Sequence, residues 1–378
     1  MKDKTVGTIV IGAGISGLAC AQRLQENNQD FLIISKNVGG RIQTSEDGAT
    51  NYGAFFVCSD FHHVLKYVTL QSQIRLSDFC FHEKDDNYVL FEPQLLLYFF
   101  QFTKILKILY KFRKKLRSFR IETESISQKK AIENDSYLNS LYMKNAFDFV
   151  KEKKLEKGTQ KYLSKGLYST TFSKVSEMNA FSFLQYLLPL ITPIFTFTFE
   201  KEKMIAPFQD KLVLDSVTDI IYKNGQYTIK SSDNIFYAKN IVLATEISWS
   251  QRFAGVKKTN KPVSTNMLHI KGDPKSIISP KKYQLFTQGS NVQAIASLKD
   301  DTYLFYYKSE PPSLNKFFIK PQIIAKKTWD PAGTINGHTL IESNRGSNMY
   351  LIGDYNIADL EESYITGLYA ANQIIKSF

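Results

Sequence analysis

The chain has 378 residues, 43% of them hydrophobic, and a formal net charge of +12. That length exceeds one ordinary core and points to two domains, and the apolar share excludes disorder as the default state. The positive charge admits nucleic acid, anionic membrane or an acidic ligand as partner. No zinc-finger spacing, RNP-type aromatic motif or basic zipper is present, so nucleic-acid binding is not expected.

Lys2 and Lys4 precede a short apolar run, but Thr8 to Ile11 is too short for the core of a signal peptide and is needed as a strand. That strand runs straight into Gly12-Ala13-Gly14-Ile15-Ser16-Gly17, and then into a helical pattern with Leu18, Ala21 and Leu24 on one face. This is Gly-x-Gly-x-x-Gly in its proper setting. Gly12 permits the tight turn, Gly14 lets the backbone approach a pyrophosphate, and Gly17 lets the helix pack on the strand. The positive end of the helix then holds the phosphates, with Ala13 and Ser16 in the same loop. A second strand, Phe31 to Ile34, ends at Ser35, where an acidic residue normally takes the ribose hydroxyls. Gly39-Gly40-Arg41 and Asp47 to Ala54 follow.

The stretch from Leu95 to Phe119 places Phe102, Ile105, Leu106, Leu109, Phe112, Leu116 and Phe119 at helical spacing. Lys104, Lys107, Lys111, Lys114, Lys115 and Ser118 gather on another side, with no acid between Glu92 and Glu122. Such a helix suits anionic lipid headgroups, which makes residues 95–120 a candidate for peripheral membrane contact. The competing reading is a helix that buries its apolar face on its own core. Pro189 to Phe199 is strongly apolar and reads as a buried wall. Leu212 to Ile221 reads as one strand, and Tyr222 to Ile229 as a hairpin through Asn224-Gly225. Asn266 to Ile270 and Asp301 to Tyr307 alternate apolar and polar residues, as antiparallel strands do. The chain closes with Trp329, the short strand Met349 to Leu351, Gly353-Asp354 and a helical stretch from Glu361 to Ile375.

Cys20, Cys58 and Cys80 are far apart, and the five histidines lack ligand spacing. No metal site is expected, and the cysteine usage fits a reducing, cytoplasmic setting, with or without a peripheral membrane contact. No run is long and apolar enough to span a bilayer.

These landmarks, in this order from residue 8 to residue 371, resemble the FAD-dependent family of amine oxidases, protoporphyrinogen oxidases and phytoene desaturases. The resemblance implies an α/β fold with a discontinuous Rossmann-type FAD-binding domain (1–60, 204–250 and 325–378) and an α+β substrate-binding domain (61–203 and 251–324). It implies FAD held by Gly12, Ala13, Gly14, Ser16, Gly17, Ser35, Gly40, Arg41, Val217 near the adenine, Gly353, Asp354 and Glu361. Some relatives tether FAD to a cysteine near the C-terminus. No cysteine follows Cys80, so non-covalent FAD is expected. Four features depart from the family: Ser35 in place of an acid, a loop two residues shorter before Gly39, Asn51 where an acid is common, and no Gly-Gly pair near Met204 to Phe208.

The implied activity is removal of a hydride from a C–H bond of a small amine or an apolar or aromatic substrate, as an oxidase or a desaturase. Flavin chemistry asks little of protein side chains, and only Trp329 and Tyr355 stand out as cavity candidates. Two other readings stay open: an FAD-binding protein that has lost catalysis and serves as a partner or scaffold, and an NAD(P)-dependent dehydrogenase.

Overall fold

Three sheets organise the chain in this computed structural model, which describes residues 3–84 and 86–377. The first is built on parallel strands. Leu212–Leu214, Phe31–Val38, Asp3–Ala13 and Ile235–Leu243 lie side by side, and Met349–Leu351 pairs with the C-terminal half of Ile235–Leu243. Ile9, Val10, Ile33, Ile34, Ile241 and Val242 are fully buried, as expected where helices or loops cover both faces of a parallel sheet. The N-terminal half of Ile235–Leu243 turns instead to an antiparallel meander of Gln226–Ser231 and Val217–Lys223. Its tight turn is Asn224-Gly225, with φ of 51° and 80°, the conformation for which this dipeptide is favoured.

The single strand expected over Leu212 to Ile221 is two strands. Asp215 breaks it, because its carboxylate accepts the Ser216 amide at 2.6 Å and the hydroxyl of Ser231. The first piece joins the parallel sheet and the second joins the meander.

The second sheet has seven strands in the order Phe318–Asn336, Lys261–Pro274, Thr302–Tyr307, Val292–Ser297, Tyr283–Phe286, Phe79–Glu83 and Asp86–Val89. All its pairings are antiparallel except that of Tyr283–Phe286 with Phe79–Glu83. Phe318–Asn336 pairs with Lys261–Pro274 from end to end, so the boundary expected at residue 325 falls inside a strand. A third, small sheet sets Ile194–Phe199 between Val57–Cys58 and Val68–Ile74.

Helix Phe99–Glu122 buries Ile105, Leu109, Phe112, Leu116 and Phe119. Their 4-3-4-3 spacing makes one stripe, which packs on the helical cluster around Leu138, Phe149 and Phe181. Among the described residues no helix is long and apolar enough to cross a membrane.

One buried charge network ties these parts together. The final helix, Leu360–Lys376, starts with Glu361 and Glu362, both fully buried. Glu361 accepts the amides of His62, His63 and Val64 at 2.7, 2.8 and 3.0 Å. Glu362 pairs with Arg120 at 2.8 Å. Arg120 also donates to the carbonyl of Asp60 at 3.3 Å, and Asp60 pairs with Arg113 at 3.0 Å. Burial alone would lower the pKa of Arg120, but Glu362 and the neighbouring carboxylates more than offset it and hold the guanidinium charged. Removing one partner strands a buried charge. Arg120→Met should therefore cost about 3–5 kcal/mol, read as a lowered urea midpoint. Adding Glu362→Leu should recover part of that loss, and an unchanged midpoint in the single variant would show the pair to be dispensable.

Candidate functional site

The strand Asp3–Ala13 meets helix Ile15–Glu26 at Gly14. Two of the three loop glycines are demanded by the fold. Gly12 has φ of 104°, and a Cβ on it would lie 2.3 Å from the carbonyl oxygen of Ala244; a Cβ on Gly17 would lie 1.9 Å from that of Gly12. Gly14 is different. Its φ is −77°, open to any residue, and a Cβ there would meet only the Cα of Gly40, at 3.9 Å. Internal packing leaves room for a side chain at 14, and that room opens on a cavity. A glycine there fits a loop that must admit a phosphate against its backbone, next to the unpaired amides of a helix N-terminus.

Gly40 and Arg41 form the facing rim. Arg41 makes a two-pronged contact with Asp354, at 2.7 and 2.6 Å, and donates to the carbonyl of Ala332 at 3.0 Å. Burial pushes the Asp354 carboxyl up, but the guanidinium beside it outweighs this and holds it below the usual carboxylate range. Gly353, with φ of 126°, turns the chain here and donates its amide to Thr366 at 2.9 Å. Ser35 accepts the Ala13 amide at 3.1 Å and donates to the carbonyl of Asn37 at 2.7 Å. Its hydroxyl thus braces the glycine loop. Asn51 is buried and donates to the carbonyl of Phe197 at 2.6 Å, a contact that a carboxylate could not make.

The cavity has a volume of about 780 Å³, within the range of small-molecule and cofactor sites. It runs from Ser35, Lys36 and Glu246 along the glycine loop, past Arg41 and Gly353-Asp354, to a wall made by the seven-stranded sheet and the helices. Its charged side chains are Lys36, Arg41, Glu246, Asp354 and Asp359, all on the glycine-loop side or at the start of the final helix. The far wall, including Phe79, Phe81, Phe172, Leu285 and Tyr306, carries no charge.

Of the residues singled out from sequence, the cavity brings together Gly12, Ala13, Gly14, Ser16, Ser35, Gly40, Arg41, Gly353, Asp354, Trp329 and Tyr355. Three lie outside its lining. Gly17 is spent on the contact with Gly12. Val217 belongs to a hydrophobic cluster with Tyr227 and Ile229 behind the sheet. Glu361 points at the amides of residues 62–64, so its carboxylate fastens the final helix and is not available to a ligand.

Tyr355 gives its hydroxyl to the carbonyl of Thr245, which clamps two loops together. Trp329 is buried, and its indole N–H has no partner. Two residues absent from the sequence reading share that state: the hydroxyls of Tyr162 and Tyr283 are buried in the cavity wall without a partner. The sequence reading singles out Tyr355 among the 21 tyrosines, and nothing in the sequence separates Tyr162 and Tyr283 from the rest. Among the described residues no cysteine or histidine lines the cavity, and no group of acids, histidines and cysteines could hold a metal.

A family model, the NAD(P)-binding Rossmann-like domain, matches residues 10–69. No curated protein matches the sequence. Among solved structures, a putrescine oxidase variant superposes with a TM-score of 0.70 at 11% identity over 100% of both chains. Cyclohexylamine oxidase from Brevibacterium oxydans superposes with 0.62 at 16% identity, over 98% of this chain and 99% of that one. The CLA-producing fatty acid isomerase from P. acnes gives 0.68 at 13% identity over 99% of each. The fold is that of the amine oxidases. That shared fold accounts for the mixed α/β architecture and the Rossmann-like sheet.

The glycine loop makes a two-part prediction. Gly14→Val should keep the circular dichroism of the parent and lose dinucleotide binding, whereas Gly17→Val should lose both, because its Cβ collides with the backbone of Gly12. Full dinucleotide occupancy in Gly14→Val would place the phosphate site elsewhere.

Proposed function

We propose that the cavity holds FAD non-covalently and that the protein is a flavin-dependent oxidoreductase, acting on a C–H bond of a small apolar or aromatic molecule. The observation that carries this reading is one continuous cavity that joins the glycine loop to an uncharged pocket under the seven-stranded sheet. In this reading the loop from Gly12 to Ser16 receives the pyrophosphate, and Arg41 and Asp354 hold the middle of the cofactor. The start of the final helix faces the ring. Bound there, the isoalloxazine supplies the hydride acceptor. A lining without cysteine or histidine supports a cofactor that is not tethered.

The chain's own contribution is binding, orientation and exclusion of water. The far wall supports an apolar body over a diamine, because an ammonium group there would be buried with no carboxylate beside it. In this respect the fatty acid isomerase, whose named substrate is a hydrocarbon chain, is the better guide than putrescine oxidase.

The family model's NAD(P) description supports a second reading, a dehydrogenase using a nicotinamide cofactor. Colour decides between the two. The purified protein should be yellow, and acid precipitation should release all of the flavin into the supernatant. Anaerobic addition of long-chain unsaturated acids or apolar amines should bleach it. A colourless protein that binds NAD(P)H would overturn the flavin reading, and a yellow protein that no apolar compound bleaches would mark it as a binding protein without catalysis.

A further inference from the structure

The segment between Phe91 and Phe100 carries the three most exposed large apolar side chains among the described residues. Leu96, Leu97 and Phe100 are 75%, 78% and 84% exposed, and Phe91 and Phe99 are exposed beside them. The segment is not loose. Its inner side packs on the core, with the ring of Tyr98 5.7 Å from that of Tyr162 and the ring of Phe102 5.9 Å from it. The outward residues are therefore held in solvent by a fixed scaffold. Scattered surface leucines need no explanation, but a contiguous cluster of this size does.

Directly after it comes a stripe of positive charge. Phe100, Lys104, Lys107, Lys111 and Lys114 follow one another at the 4-3-4-3 spacing that keeps them on one helix face, opposite the buried stripe. Lys104, Lys107 and Lys114 are exposed and make no ion pair among the described residues. Arg113 and Arg120, by contrast, turn inward to Asp60 and Glu362. The structure thus sorts the helix's basic residues into a structural pair and an outward row. No carboxylate occurs between Glu92 and Glu122 to neutralise that row.

The exposed segment also sits on the cavity. Leu90 and Phe102, which bracket it in the chain, both line the cavity wall. We propose that residues 91–100 and the lysine row of helix Phe99–Glu122 form one docking surface for an anionic lipid bilayer, with the outward leucines and phenylalanines entering the acyl boundary and the lysines meeting the headgroups. Docked this way, the side of the cavity walled by Leu90 and Phe102 is turned toward the bilayer, the medium from which an apolar substrate is drawn. The charge pattern argues against a second copy of the chain as occupant, because a twofold contact would set the two lysine rows against each other.

The substrate part of this inference rests on the proposed function, whereas the docking part is read without catalysis. The protein as purified is floated with vesicles of phosphatidylcholine containing about one-third phosphatidylserine, and with phosphatidylcholine alone. We expect flotation with the anionic vesicles at about 0.05 M salt and its loss by about 0.5 M, as screening shortens the reach of the lysines. Each basic residue near such a surface is worth on the order of fivefold in partitioning. The triple variant Lys104→Glu, Lys107→Glu, Lys114→Glu should therefore bind at least about 100-fold more weakly. Leu97→Ser with Phe100→Ser should also float poorly, and both variants should keep the parent's circular dichroism and urea midpoint, because none of these side chains is in the core. Failure of the parent to float with anionic vesicles, or equal flotation of all three proteins, would overturn the proposal. So would a parent dimer that Leu97→Ser with Phe100→Ser converts to monomer, which would assign the surface to a second copy. Flotation without any substrate bleaching would keep the docking surface and remove the delivery of a substrate.

Discussion

At the head of the cavity three backbones touch, and glycine is what lets them. The missing Cβ of Gly12 brings the first strand against Ala244, that of Gly17 seats the first helix on the loop, and that of Gly367 lets the final helix lie 2.2 Å, measured from where its Cβ would be, from the carbonyl of Ser16. These contacts set the width of the sheet's upper edge and the angle at which two helices cross it. The cavity beneath is in effect the space left when strand ends and helix starts are forced so close. A methyl group at any of these three sites would require backbone to move, because the colliding atoms are main-chain carbonyls with no rotamer to change.

Across the cavity, closure is electrostatic. Arg41 and Asp354 are 313 residues apart in the chain and meet in a fork geometry that Lys could not reproduce. Carbonyl contact with Ala332 fixes the guanidinium plane, so its remaining donors have a defined direction. An anionic ligand in the cavity would share this arginine with Asp354 and need not displace it. Tyr355 and Thr334 add two neutral hydrogen bonds to backbone carbonyls around the same turn, which makes the rim stiff on both sides of the charge.

Much of this was legible in the sequence because it rests on backbone requirements. A strand that runs into Gly-x-Gly-x-x-Gly, an Asn-Gly turn and a strand ending in Gly-Asp each constrain the main chain, and a main-chain constraint leaves the same residue types wherever it occurs. What depends on a side chain's partner was not legible. Glu361 looks like a first-turn acid suited to a helix dipole, but its carboxylate serves three amides about 300 positions away. Asp215 looks like an interior strand residue until its hydrogen bonds to Ser216 and Ser231 break the strand. Arg113 and Arg120 look like members of a solvated basic face, and only the placement of Asp60 and Glu362 separates them from the lysines. The seven-stranded sheet shows the same limit: alternation identified two of its strands, within Lys261–Pro274 and at Thr302–Tyr307, and nothing in alternation says that Phe318–Asn336 runs unbroken past residue 325.

The buried carboxylates at the start of the final helix also impose an order on assembly. Glu361 and Glu362 can be taken out of water only once the amides of residues 62–64 and the guanidinium of Arg120 are in place to receive them. Gly353 and Asp354, just ahead of that helix, and Asp359 and Leu360 at its start follow the other walls of the cavity in chain order. A chain that has not yet supplied residues 353–376 leaves the first helix uncovered on one side, and that segment closes the site. Until residues 360–376 pack on it, the first helix presents Ala19 and Cys20, which the final helix covers in the folded protein, as unprotected surface.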